Sequence, residues 1–137
     1  MSTTTDHAWA ATLALLATHQ MEEMVFSLDE WRERIGGTGM PRFDRFVQRT
    51  PIGRQAPGPR IATIVGQSLL ASGLYAATRR SVPATRAVTT ALTVGWAGAF
   101  VMHLSVAART RSAMPGLATS IFPGLPGAVW VVRYIWS

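Results

Sequence analysis

The stretch LLATHQMEEMVF, residues 15–26, closes an apolar run with a histidine and two neighbouring glutamates. On a helix, positions i, i+3 and i+4 share a face, so His19, Glu22 and Glu23 fall within an arc of about 100°. An imidazole and two carboxylates so placed can do two kinds of chemistry. They can bind one divalent metal ion, since carboxylate and imidazole suit zinc, manganese or non-haem iron. Without a metal, two adjacent carboxylates taken out of water repel, so one is expected to keep its proton and to act with a histidine as a general acid/base pair. His103 lies in a later apolar stretch and is the natural fourth member of either set.

Composition says what must position these residues. Charged side chains are 15% of the 137 residues, against roughly 25% in ordinary soluble domains. All thirteen basic residues are arginine, and there is no cysteine, which excludes disulfides and thiolate metal sites. The net charge of +6 is unevenly spread: eleven of the twenty charged residues lie between Asp29 and Arg60, and no acidic residue follows Arg60. A 77-residue stretch without a carboxylate is expected of membrane spans rather than of a nucleic-acid-binding domain. The leader MSTTTDHAW has no positive charge before the apolar run, so the first helix is expected to be retained rather than cleaved as a signal peptide.

The expected fold is an all-α membrane protein, a four-helix transmembrane bundle with spans at about 5–26, 61–78, 86–108 and 116–136. Thr3-x-x-Asp6 has the form of a capping box at the start of the first. Pro123 and Pro126 should kink or break the last, where Trp130, Tyr134 and Trp136 suit an interfacial belt. Between spans one and two, residues 27–60 read as an arginine-rich interfacial loop. Within it PRFDRFVQR forms either a short amphipathic helix, with Phe43, Phe46 and Val47 on one face, or solvated loop. Nine arginines fall on the side of this loop and four on the other, which puts the loop in the cytoplasm and both termini outside.

Spans one and three then run in the same direction, and their histidines sit at similar depth. His103 is expected to face His19, Glu22 and Glu23 inside the bundle. A competing reading leaves Glu22 and Glu23 as membrane-edge residues, solvated or paired with Arg32, Arg34 or Arg42, and His103 bonded to a backbone carbonyl or a serine.

HQMEE, together with MHLSVAARTRSAMPGLATSIFPGLPG at residues 102–127, resembles the HXXEE family of small bacterial membrane proteins. The two blocks lie near opposite ends of the chain. The resemblance implicates His19, Glu22, Glu23, His103, the Pro115-Gly116 turn and Thr119, and implies a bacterial inner-membrane location. Members often carry an asparagine about one turn before the second histidine, where this chain has Gly98-Ala99. The family brings residues but no reaction.

The favoured function is therefore acid/base chemistry, isomerisation or cyclisation, on a lipophilic small molecule, with His19, Glu22, Glu23 and His103 as catalytic residues. The alternative gives the same four residues to one zinc, manganese or iron ion; the carboxylates that two irons need are missing. A third reading is a non-catalytic interaction protein or transporter subunit. Expected partners are membrane lipid, a lipophilic substrate and a second copy of the chain, with no nucleic acid.

Overall fold

The computed structural model describes residues 3–137, and all regular secondary structure among them is helical. Seven α-helical segments follow one another: α1 (Thr3–Val25), α2 (Leu28–Arg34), α3 (Pro41–Arg49), α4 (Pro57–Thr78), α5 (Val82–Thr110), the single turn α6 (Leu117–Thr119) and α7 (Leu125–Ile135). Among the described residues, α4 and α5 are the two helices long and apolar enough to cross a membrane. α1 has the length, 23 residues, but carries Asp6, His7, His19, Glu22 and Glu23 within it.

Prolines start helices here more often than they separate them. Pro41, Pro57, Pro83 and Pro126 all sit in first turns, where the missing N–H has no intrahelical partner to lose. α4 and α5 therefore begin about a turn earlier than the apolar pattern suggests. The expected span 116–136 is not one helix. Phe122 leaves helical geometry at φ −151°, ψ 128°, ahead of Pro123, and the eleven residues of α7 cover about 16 Å. At the other end of the chain α1 is already under way at Thr3. Asp6 there accepts the Tyr75 hydroxyl of α4 at 2.8 Å, while Trp9 stacks on the Tyr75 ring.

Residues 27–60 are more ordered than a loop. Ser27 caps α2 by accepting from the Glu30 N–H at 3.3 Å, in a Ser-x-x-Glu sequence of the capping-box form. PRFDRFVQR forms α3, with Val47 buried, Phe43 partly covered and Phe46 exposed. Together α2 and α3 close over the end of α5: Leu28, Trp31 and Val47 pack on Val106, Ala107 and Met114.

The long elements meet through an apolar cluster of Ala8, Val131 and Ile135 between α1 and α7 and through several polar contacts. α1, α5 and α7 pack on one another, and α4 rests against α1 and α5. Thr12 of α1 donates to the Ala8 carbonyl at 2.9 Å, so the Thr93 hydroxyl of α5, also at 2.9 Å, donates to Thr12. Trp136 donates from its indole to Thr90 at 2.9 Å, tying α7 to α5. Arg60, buried at the start of α4, donates to the Glu23 and Met24 carbonyls at 3.2 and 2.7 Å. A guanidinium thus satisfies the last turn of α1, which has no basic residue of its own.

Trp31 is the more deeply buried of the two core tryptophans, 1% exposed, and its indole also donates to Ser112 at 3.0 Å. Trp31→Ala is expected to lower unfolding stability by about 3–5 kcal/mol, as for other buried aromatics, with Trp31→Phe falling between it and the native protein. Denaturant midpoints of the three purified proteins check this; an unchanged midpoint for Trp31→Ala would show that the α2–α3 cap adds nothing to cohesion.

Candidate functional site

His19, Glu22 and Glu23 emerge from the last two turns of α1, and His103 from the later part of α5. The structure brings the two histidines and one of the glutamates together. The rings of His19 and His103 stand edge to face with centroids 4.7 Å apart. Glu23 Oε1 lies 3.7 Å from His19 Nε2 and 3.5 Å from His103 Nε2. One donor atom from each of the three residues lies within 4.8 Å of the others, and all three residues are buried.

Glu22, half-buried, turns away from this trio. Its Oε2 accepts the Thr119 backbone N–H at 2.9 Å and the Thr119 hydroxyl at 2.7 Å. None of Arg32, Arg34 and Arg42 forms an ion pair with either glutamate among the described residues. Arg32 instead holds Asp29 at 3.0 Å.

The hydrogen bonds fix which ring nitrogens carry protons. His103 Nδ1 is 2.8 Å from the Pro115 carbonyl, which can only accept, so Nδ1 carries the hydrogen. The single hydroxyl hydrogen of Thr119 points to Glu22. Its oxygen, 3.0 Å from His19 Nδ1, is left to accept, so that nitrogen also carries a hydrogen. In the neutral rings both Nε2 atoms then present lone pairs toward Glu23. His103 is bonded to a backbone carbonyl, as the competing reading had it, and belongs to the cluster as well.

The 114–120 turn makes this possible. Gly116 has φ 83°, in the left-handed region that favours glycine. A Cβ there would stand 2.5 Å from His103 Cε1 and 2.7 Å from His19 Cε1. Trp96 and Phe100 of α5 complete the surroundings, meeting the His19 ring edge to face at 5.6 and 5.1 Å. Near the cluster, Glu22, Phe26, Arg34, Ala113, Met114 and Pro115 line a cleft of about 270 Å³.

The resemblance named the Pro115-Gly116 turn and Thr119, and the structure shows that the Pro115 carbonyl is the part of that turn that meets His103. Away from the cluster, Gln20 of α1 and Gln67 of α4 pair through their amides, a contact with no signal in the sequence.

The family described as "Protein of unknown function with HXXEE motif" matches residues 9–131, and the chain belongs to it. No curated protein and no solved structure gives a significant match.

Gly116→Ala is expected to destabilise the protein by about 2–4 kcal/mol, through a strained φ and a methyl forced against both imidazoles. Thermal unfolding checks it. A variant as stable as the native protein would mean that the turn does not press on the rings.

Proposed function

We propose that this HXXEE family member is a membrane-embedded bundle holding one divalent metal ion between His19, Glu23 and His103, and that it uses the remaining coordination position on a lipophilic substrate. The observation that carries the reading is the pair of Nε2–Glu23 separations. At 3.5 and 3.7 Å they exceed the roughly 3.2 Å limit of a good N–H···O bond. A tetrahedral ion with bonds of about 2.0–2.2 Å spaces its ligands about 3.3–3.6 Å apart, close to the two Nε2–Glu23 separations, and the three donor atoms, all within 4.8 Å of one another, would draw in slightly around it. Two lone pairs and a carboxyl oxygen facing one another, with no hydrogen among the imidazole nitrogens to place between them, suit a cation.

The surrounding hydrogen bonds support the same reading. Metal-binding histidines characteristically donate their other N–H to a carbonyl or carboxylate, which sets the tautomer and aims the ring. Pro115 does this for His103, and Thr119, itself held by Glu22, does it for His19. Three protein ligands would leave a position open on a bound ion, which would supply Lewis-acid polarisation of an oxygen of substrate or water. Trp96 and Phe100 pack on the His19 ring and make its surroundings largely apolar. The metal-free alternative, a carboxyl proton on Glu23 shared with the two imidazoles in an acid/base isomerase or cyclase, uses the same three side chains.

The bundle reading adds two elements, α1 and the broken α6–α7 unit, to the two helices that pass on length and hydropathy. α1, α4, α5 and the broken α6–α7 unit would cross as four segments, the break being tolerated where it is buried against neighbours. Polar side chains such as Thr12, Thr89, Thr93 and Ser120 face inward, while Val65, Leu69, Leu70, Val101, Ile121 and Val129 face out. That distribution suits lipid as surroundings. The nine-to-four arginine imbalance favours the cytoplasmic side for α2 and α3.

Elemental analysis of the purified protein tests the site. About one zinc, manganese or iron per chain is expected for the native protein. Near-complete loss is expected for His19→Ala, His103→Ala and Glu23→Gln. Thr119→Val should keep the site but bind roughly 10- to 100-fold more weakly. A correctly folded native protein that neither contains nor takes up metal sinks the metal reading and leaves the acid/base one. For sidedness, an impermeant thiol reagent on intact cells should label Arg80→Cys in the α4–α5 turn and spare Ala56→Cys before α4; both positions are exposed. The reverse pattern inverts the orientation.

A further inference from the structure

α3 has two faces, and the structure accounts for one of them. Val47 and Phe43 pack into the cluster with Trp31, Val106 and Met114. Asp44, the one acidic residue of the helix, is turned back to receive the Thr38 hydroxyl at 2.8 Å and its N–H at 3.1 Å. On the other side Arg42, Arg45 and Arg49, spaced three and four apart, share a face. With Phe46, Thr50 and Pro51 they line an open depression of about 540 Å³. All three arginines are exposed, and among the described residues none has a carboxylate within ion-pair distance. Phe46 stands among them, 52% exposed.

We infer that the Arg42–Arg45–Arg49 face of α3 is a binding site for the headgroup of an anionic phospholipid. Three unpaired guanidinium groups on one face offer paired N–H donors to a phosphodiester, which arginine holds in two-point fashion. Phe46 supplies an apolar group at the same level, as amphipathic segments do where headgroups give way to acyl chains. Position selects lipid over a soluble polyanion. α3 is packed on Val106 and Ala107 near the end of α5, and the chain enters α4 eight residues after Arg49, so the face lies at the end of both long apolar helices. The inference rests on the membrane placement proposed above and is independent of the metal.

Native mass spectrometry of the full-length protein in detergent tests it, with phosphatidylglycerol, phosphatidylcholine or inorganic phosphate added. Phosphatidylglycerol should be retained at much lower concentration than phosphatidylcholine. Combined Arg42→Gln, Arg45→Gln and Arg49→Gln should raise its half-saturation on the order of 10- to 100-fold. Phe46→Ser should weaken lipid retention with the arginines intact. Arg79→Gln with Arg80→Gln, which removes charge at the opposite end, should leave retention unchanged. Equal retention of the two lipids overturns the inference, as does an unaffected triple variant or an equal loss in the Arg79/Arg80 variant. Displacement of lipid by phosphate at matching concentration also overturns it, by showing a free-anion site. Recovery of the native protein in the soluble fraction without detergent overturns the membrane placement itself, and this inference with it.

Discussion

A backbone turn can touch two imidazoles at once only if nothing projects from it, and at Gly116 nothing does. Its left-handed φ lets the 114–120 turn present the Pro115 carbonyl to His103 on one side and Thr119 to His19 on the other. Both contacts consume Nδ1, so both Nε2 atoms face Glu23. The turn follows α5, includes α6 and leads into the final segment, and Glu22 holds it to α1 through two hydrogen bonds. The relative placement of α1, α5 and the final segment is therefore set at the same point that sets the ring orientations. A shift of any one of the three elements would misalign the nitrogens.

Cohesion differs between the two ends of the molecule. At the α2–α3 end, Leu28, Trp31, Val47, Val106 and Met114 form a compact apolar cluster of the kind that water drives together. Along the long helices a smaller apolar contact, Ala8 with Val131 and Ile135, is joined by recurring interhelical hydrogen bonds: Thr12 with Thr93, Tyr75 with Asp6, Trp136 with Thr90, and Arg60 with the end of α1. Helices surrounded by lipid gain little from burying leucine against leucine and rely on packing and polar pairs instead. The contrast fits the proposed placement of α2 and α3 at the aqueous boundary, with α1, α4, α5 and the broken last segment within the bilayer. The histidine–glutamate cluster lies near the boundary between the two, with a cleft lined by Glu22 and Arg34 beside it.

Much of this was legible in the sequence because helical periodicity is a strong constraint. The spacing of His19, Glu22 and Glu23 put them on one face, and parallel α1 and α5 put His103 at their level. The apolar face of α3 was readable at Phe43 and Val47, although the structure leaves Phe46 exposed. α2 went unread although Ser27-x-x-Glu30 was a usable start signal, because seven residues are too few to show a period. The prolines misled in a systematic way: a proline that opens a helix and one that ends it look alike until the partner of the absent N–H is known. Arg60 counted as one loop arginine among many, since its role depends on where the end of α1 lies in space. The site's backbone contribution, from Pro115, leaves no trace in residue type.

Helix geometry gives a reason for two adjacent glutamates. Neighbouring positions differ by about 100° around the axis, so side chains at 22 and 23 cannot address the same partner equally. Glu23, four residues after His19, lies one turn along from the ring and reaches its Nε2 side. Glu22, three residues after it, diverges toward the incoming turn and reaches the ring's other nitrogen through Thr119. One carboxyl thus joins the cluster and the other orients it, and the imidazole between them has both nitrogens engaged. Moving either glutamate by one position would rotate it off its partner by about 100°, so the motif's spacing is a statement about the two nitrogens of a single histidine.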